Sequence, residues 1–354
     1  MNLLQRLQQA NYNSTAISAE ANISYAQLIA QALQLRQQYP ALQHQAIALS
    51  YTDLSTFTFA LLAFDGWCRA LYLLPDNTLK LPEQVICWPE NTPAAPITAT
   101  ATPTAEPTHW YLATSGTTGT PKWIAHSFTS LSRAAKASVQ SAALHWALCY
   151  QPSRFAGLQV LLQSLLSGAV ITDCSSGDAQ QRFNLMQQHR VNAVSATPSL
   201  WRQLLMTAQL SALPLQQITL GGEIADQPLL DTLAILFPTA RLLHIYASTE
   251  AGVGFAVADK RAGFPASWLY QRHSNLLLKI DANQHLWLKP PQQPDTGLAS
   301  DADSDGYLDS GDLVTIVQNR VVFLGRASGV INVGGNKVHP EQVEQVLLQH
   351  PAVH

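Results

Sequence analysis

The sequence predicts an α/β protein whose last third turns to antiparallel β. Three observations carry that expectation. Between Ser24 and Tyr246, short apolar runs alternate with segments of helical periodicity. Several of these runs stop at small residues, as at Thr114-Ser-Gly and Gly221-Gly, which sets candidate binding residues beyond strand ends. After Gly254 the helical periodicity ceases, and short strands separated by Asp281-Ala-Asn and Gln318-Asn-Arg turns take over.

The elements follow in order. Ser24 is placed to cap a helix whose apolar face carries Tyr25, Leu28, Ile29, Ala32 and Leu35. Asp53 is placed to cap a second, Leu54 to Phe64, ended by Gly66. Ala46–Ser50 and Ala70–Leu74 read as buried strands. Asn91 to Thr108, rich in Pro, Thr and Ala, reads as a linker. His109 to Ala113 is a buried strand, and Ser127 to Ala143 a polar helix. His145 to Tyr150 is a strand, followed by a turn and a helix from Leu158 to Leu166. Ala169–Thr172, Val191–Ala196, Ile218–Glu223 and Arg241–Tyr246 are strands. Helices fall at Ala179–His189, from Pro198, and at Leu229–Phe237. Strands from Asn275, Gln284, Leu313 and Val321 complete the antiparallel part.

Composition excludes several function classes. A chain of 354 residues that is 47% hydrophobic can bury a large core or two to three subdomains. A net charge of -3 with 12% charged residues gives no nucleic-acid footprint. No apolar run reaches the length of a membrane span, and the first residues lack a signal-peptide pattern, so a cytoplasmic protein is expected. Cys68, Cys87, Cys149 and Cys174 show no CxxC spacing and are expected as free thiols.

The densest chemistry lies in Tyr111-Leu-Ala-Thr-Ser-Gly-Thr-Thr-Gly-Thr-Pro-Lys122. Gly116 and Gly119 let the backbone bend tightly and approach a ligand. Thr114, Ser115, Thr117 and Thr118 add hydroxyls, successive peptide N–H groups form an anion-binding hollow, and Lys122 adds a point charge suited to phosphate. The Walker pattern is absent, because Lys122 follows Pro121 and precedes Trp123. Downstream, Tyr246-Ala247-Ser248-Thr249-Glu250 offers an aromatic face, a hydroxyl and a carboxylate of the kind magnesium prefers. Read structurally, the same residues are a helix N-terminus capped by Ser248 or Thr249. Asp312, in Gly306-Tyr-Leu-Asp-Ser-Gly-Asp312, can accept from several donors at once.

Taken together, these stretches resemble the motifs of the adenylate-forming superfamily: acyl- and aryl-CoA synthetases, adenylation domains of peptide synthetases, and luciferases. Thr114 to Lys122 meets every position of the phosphate-loop pattern [ST]-S-G-[ST]-T-G-x-P-K. Tyr246 to Glu250 resembles Y-G-x-T-E, with Ala247 where glycine is common. Gly306 to Asp312 resembles G-[WY]-x-x-[ST]-G-D, and Gly325-Arg326 resembles the start of the hinge, where Ser328 stands in place of the usual Asp or Lys.

The resemblance implies a large N-terminal domain of stacked, mixed β-sheets with flanking helices plus a small antiparallel β subdomain. It implies an ATP- and carboxylate-binding domain over 1–325, with about 255–325 β-rich, and over 326–354 a hinge and only the start of a mobile C-terminal α+β lid. It implies activation of a carboxylic acid by ATP and Mg2+ to acyl-AMP with release of pyrophosphate, then transfer to a thiol of CoA or of phosphopantetheine on an acyl carrier protein. Lys122, Thr249 and Glu250 are the implied catalytic residues, Glu250 as the magnesium ligand. Gly221, Gly222, Glu223, Tyr246, Ala247 and Ser248 line the nucleotide, and Asp312 and Arg326 hold its ribose. Arg154, Phe155, Gly157, Leu158, Leu220, His244, Gly252 and Val253 border the acid, expected to be aryl or medium acyl. Arg154 is a candidate for a second carboxylate on the substrate, since guanidinium forks onto carboxylates. The family's late lysine has no counterpart through His354, so impaired catalysis is expected of this stretch. The alternative expectation is a non-catalytic adenylate-binding homologue.

Overall fold

The computed structural model describes residues 1–76, 79–90, 107–114, 122–207, 209–248, 252–273, 276–289, 302–333, 336–338 and 340–347. They form an α/β fold of mixed sheets with a small antiparallel sheet, and two compact units, Met1–Val194 and Ser195–His354.

In the first unit the elements are α1 (Leu3–Ala10), β1 (Thr15–Ile17), β2 (Ile23–Ser24), α2 (Tyr25–Gln38), β3 (Ala46–Ser50), α3 (Leu54–Phe64), β4 (Ala70–Leu74) and β5 (Ile86–Trp88). They continue with β6 (His109–Thr114), β7 (Lys122–Ser127), α4 (Phe128–Ser132), α5 (Val139–Ala142), β8 (His145–Leu148), α6 (Phe155–Ser167), β9 (Val170–Asp173), α7 (Ala179–Gln188) and β10 (Ala193–Ala196), which runs across the unit boundary at Val194. One sheet has the order β5-β3-β4-β6-β7, parallel except for the last pair. β3 and β4 are buried along nearly their whole length, as strands covered on both faces must be. β2-β1-β9-β8-β10 form a second array. The core that packs α1, α2, α3 and α6 onto these strands includes Leu7, Leu28, Phe57, Trp110 and Leu161. Asp65 is buried inside it: one oxygen accepts from Leu3 N (2.6 Å), the other from the Trp110 indole (3.0 Å).

Local signals act as expected in much of this unit. Ser24 caps α2 in a reciprocal box with Gln27, and Asp53 accepts from Thr56 N at the start of α3. The polar helix expected over 127–143 is corrected. Ser127 caps the short α4, Ser138 caps the short α5, and between them Gln163 of α6 takes both peptide groups of Lys136. α6 also begins three residues earlier than expected, with Arg154 at its N-cap position. The strand at 109–114 is buried on one face, through Trp110 and Leu112, rather than throughout. All four cysteines are free, and burial pushes the Cys149 thiol up to about 12.

The second unit adds α8 (Pro198–Leu205), β11 (Gln217–Gly221), α9 (Gln227–Leu236), β12 (Arg241–Ser248), β13 (Gly252–Val257) and β14 (Phe264–Pro265). It ends with β15 (Leu277–Ile280), β16 (His285–Lys289), β17 (Leu308–Val317), β18 (Arg320–Arg326), β19 (Ile331–Val333), β20 (Asn336–Val338) and α10 (Pro340–Leu347). β11 and β12 are parallel, β12 and β13 antiparallel. The helix start expected at Ser248 or Thr249 is therefore corrected at Ser248: β12 runs through it and pairs it with Gly252 of β13. The antiparallel sheet β14-β18-β17-β16-β15 closes over Phe255, Phe264, Leu278, Leu286, Val314 and Val321. Arg320 gathers the 259–263 loop by pairing with Asp259 and donating to the carbonyls of Arg261, Ala262 and Gly263. Gly263 has φ +66°, and a Cβ there would meet the Val321 carbonyl at 2.0 Å, so only glycine fits. Among the described residues no helix is long and apolar enough to cross a membrane.

Candidate functional site

The candidate residues divide between the two units. In the first, Thr114 ends β6 and Lys122 begins β7, and the two are directly paired across the strands. The hairpin therefore pins both ends of the Ser/Thr/Gly loop. Ser115, Gly116, Thr117, Thr118 and Gly119 lie outside the described residues. The hairpin base is stiffened by aromatic packing that sequence reasoning missed: Tyr111 stacks on Tyr72 at 4.3 Å, and Trp123 meets Tyr72 edge-on. The only sequence signals were a tyrosine in an apolar run and a tryptophan beside Lys122.

The acid-side candidates of this unit sit on the first turn of α6. Arg154 is exposed, and its Nε makes a long hydrogen bond, 3.4 Å, to the side-chain oxygen of Gln151. Phe155 lies 6.1 Å from the ring of His126, a buried β7 residue that the sequence did not single out. A Cβ on Gly157 would lie 2.3 Å from the Gln151 carbonyl, so the 151–157 turn demands glycine. Leu158 is fully buried inside the core.

In the second unit, Leu220 is fully buried, and Gly222 has φ +82° just after β11. The Glu223 carboxylate accepts from the backbone N–H and the hydroxyl of Ser199, at 2.8 and 2.7 Å, at the start of α8. His244 bonds the Arg261 carbonyl through Nε2, which must carry the proton; burial lowers its pKa and keeps the ring neutral. Ala247 pairs with Val253 across β12 and β13, and a Cβ on Gly252 would meet nothing within 4 Å. Thr249 and Glu250 lie outside the described residues, and with them the expected magnesium ligand. Ser328 sits in a short turn, Ala327–Gly329, directly after β18.

Three candidates do converge. Asp312 of β17 and Arg326 of β18 are cross-strand partners, and Arg326 Nε reaches Asp312 Oδ1 at 3.0 Å. Tyr246 of β12 donates its phenol proton to Asp312 Oδ2 at 2.5 Å. The Tyr246 ring, expected as a platform for adenine, stacks nearly parallel to Phe255 and Phe323, at 5.2 and 5.3 Å. Burial and then the Asp312 charge hold its pKa well above the usual phenol value. Arg326 Nη1 also donates to the Ser310 carbonyl at 2.7 Å. Gly311, at φ +71°, keeps that space clear, because a Cβ would meet Arg326 Nη1 at 3.3 Å.

Comparison with known proteins gives a consistent result. A profile described as AMP-binding enzyme matches residues 70–272, more than half of the chain. The chain is 29% identical over 301 residues to enterobactin synthase component E of Escherichia coli K12, covering 74% of this chain and 54% of that protein. It is 23% identical over 287 residues to the 2-succinylbenzoate–CoA ligase of Arabidopsis thaliana, covering 68% and 50%. The chain thus spans about half the length of the curated relatives it matches. Among solved structures, the anthranilate CoA ligase AuaEII in complex with anthranoyl-AMP superposes with a TM-score of 0.77 at 15% identity, over 99% of this chain and 82% of that one. The o-succinylbenzoate-CoA synthetase MenE of Bacillus subtilis, in complex with ATP and magnesium, gives 0.73 at 22%, over 100% and 85%. At these identities the superpositions establish the fold.

Proposed function

We propose, from the premise that the chain belongs to the AMP-binding enzyme family, that it binds ATP and a carboxylic acid and joins them as an acyl adenylate. The acid's carboxylate attacks the α-phosphorus, and pyrophosphate leaves. In the whole protein a thiol of CoA, or of a carrier-protein phosphopantetheine, then takes the acyl group. The first step builds charge on phosphate oxygens, which preorganised donors stabilise. Thr114 to Gly119, Lys122 and Thr249 are assigned to the phosphates, and Gly221, Gly222 and Glu223 to the base. Asp312 and Arg326 hold the ribose. Glu250 is the residue for magnesium, which when bound neutralises phosphate charge. Residues 326–354, with Ser328 at the turn, are assigned to the hinge and the first part of the lid.

The observation that carries this reading is the convergence of Tyr246 and Arg326, residues of two further motifs, on the Asp312 carboxylate. A carboxylate fixed on β17 between a phenol and a guanidinium suits a vicinal diol. The acid is assigned to the aryl class. Two relatives are named for benzoic acids, 2-succinylbenzoate and anthranilate, and Phe155 and His126 are paired rings beside the α6 turn.

Product analysis tests the reading. Incubated with ATP, magnesium and a panel of benzoic acids, the chain is expected to form an aroyl adenylate and release pyrophosphate, with AMP following as water or an added thiol takes the acyl group. ADP with phosphate would overturn it.

A further inference from the structure

We infer that Tyr246 is a positioning residue for the ribose carboxylate: its phenol sets the orientation of Asp312 before a nucleotide arrives. The inference rests on the ribose assignment above and gives Tyr246 a task separate from contact with the base.

The geometry holds Asp312 from three directions. Oδ2 accepts from Tyr246 of β12, and Oδ1 is ion-paired with the Arg326 guanidinium of β18. Its backbone N–H donates to the Ser310 hydroxyl at 3.1 Å, and that hydroxyl is itself fixed by donating to the Leu286 carbonyl at 2.6 Å. Donors on different oxygens, from different strands, fix both the position and the plane of the carboxylate.

The phenol is a rigid donor for this work. Phe255 and Phe323 pack on its ring at interplanar angles of 15° and 13°, and Phe255 is its direct cross-strand partner. The hydroxyl lies on the axis about which the ring flips, so ring flips do not move it. Its raised pKa keeps the proton on the phenol at neutral pH, so Tyr246 donates throughout the working range. A carboxylate accepts from several donors at once, so its contacts with Tyr246 and Arg326 are compatible with bonds from a diol. A side chain so fixed loses little rotamer freedom on binding, and affinity rises through preorganisation.

The test is calorimetric titration of this chain with AMP and with 2′,3′-dideoxy-AMP, before and after Tyr246→Phe. The substitution removes one oxygen and leaves the ring packing. The wild type is expected to favour AMP about 10- to 100-fold, the usual worth of hydrogen bonds to a charged group. Tyr246→Phe is expected to cut that preference about fivefold while leaving dideoxy-AMP affinity within about twofold. A merely structural loss would weaken both nucleotides alike and leave the ratio unchanged, and an unchanged ratio overturns the inference. A wild type that does not distinguish the two nucleotides overturns the ribose assignment instead. A second readout needs no variant. The Tyr246 hydroxyl proton is expected as an exchange-protected NMR resonance that persists with AMP bound, and its loss on AMP binding would mean that the phenol releases Asp312 and would overturn the inference.

Discussion

Tyr246 and Asp312, 66 positions apart in the chain, meet through a 2.5 Å hydrogen bond from phenol to carboxylate. Neither residue alone defines a site. Together with Arg326 they make a carboxylate whose two oxygens are held by different strands.

Replacing Asp312 by Ala is expected to weaken AMP binding by about 1.5–3 kcal/mol, the range for hydrogen bonds to a charged group. Calorimetry checks it. Unchanged affinity in a folded variant would remove the ribose from Asp312.

Arg154→Ala is expected to change the ranking of acids, lowering activity on dicarboxylic acids relative to monocarboxylic ones. The side chain is exposed, and among the described residues it makes no ion pair. Rates over a panel of benzoic acids with and without a second carboxylate check this. An unchanged ranking leaves Arg154 a solvated surface charge.

Asp65 supports the first unit, and its removal is expected to cost about 2–4 kcal/mol. Asp65→Ala strips the acceptor from Leu3 N and from the Trp110 indole, both buried. Urea unfolding measures the loss. A change under about 0.5 kcal/mol would mean that water or another group takes both donors.

His145 gives the first unit an acid sensitivity. Its Nε2 donates to Thr172, whose own proton goes to the Ser18 carbonyl, and His189 bonds the Ser18 hydroxyl. Burial, then His189, lower the His145 pKa to about 4. A depressed pKa means that stability is full above the ordinary value near 6.5 and declines as pH falls toward 4. Unfolding at pH 7 and pH 5 is expected to differ by about 1 kcal/mol after solvent screening. His145→Gln is expected to flatten that difference, and an unaltered pH slope would place the sensitivity elsewhere.

Much of this architecture is legible in the sequence because local signals agree with the packing. Ser24 and Asp53 cap the helices they precede, and Ala46–Leu49 and Ala70–Leu74 are continuous buried runs because both faces are covered. β7 was hidden because an edge strand is half polar: Ile124 and His126 are buried while Lys122 is exposed. The break between α4 and α5 depends on Gln163, a tertiary partner that no window around Lys136 contains. The site shows the same division. Asp312 and Arg326 stand out as motif residues, but their pairing depends on strand register, shifted by an irregularity between Leu313 and Val314. The Tyr246 bond to Asp312 depends on how two sheets pack, which no spacing encodes.

The most direct measurement of the central claim is acid-dependent exchange of labelled pyrophosphate into ATP. The account predicts that label enters ATP only when a benzoic acid is present, and that Lys122→Ala abolishes most of it. Label entering without acid, or no exchange accompanied by cleavage of ATP to ADP and phosphate, would contradict it.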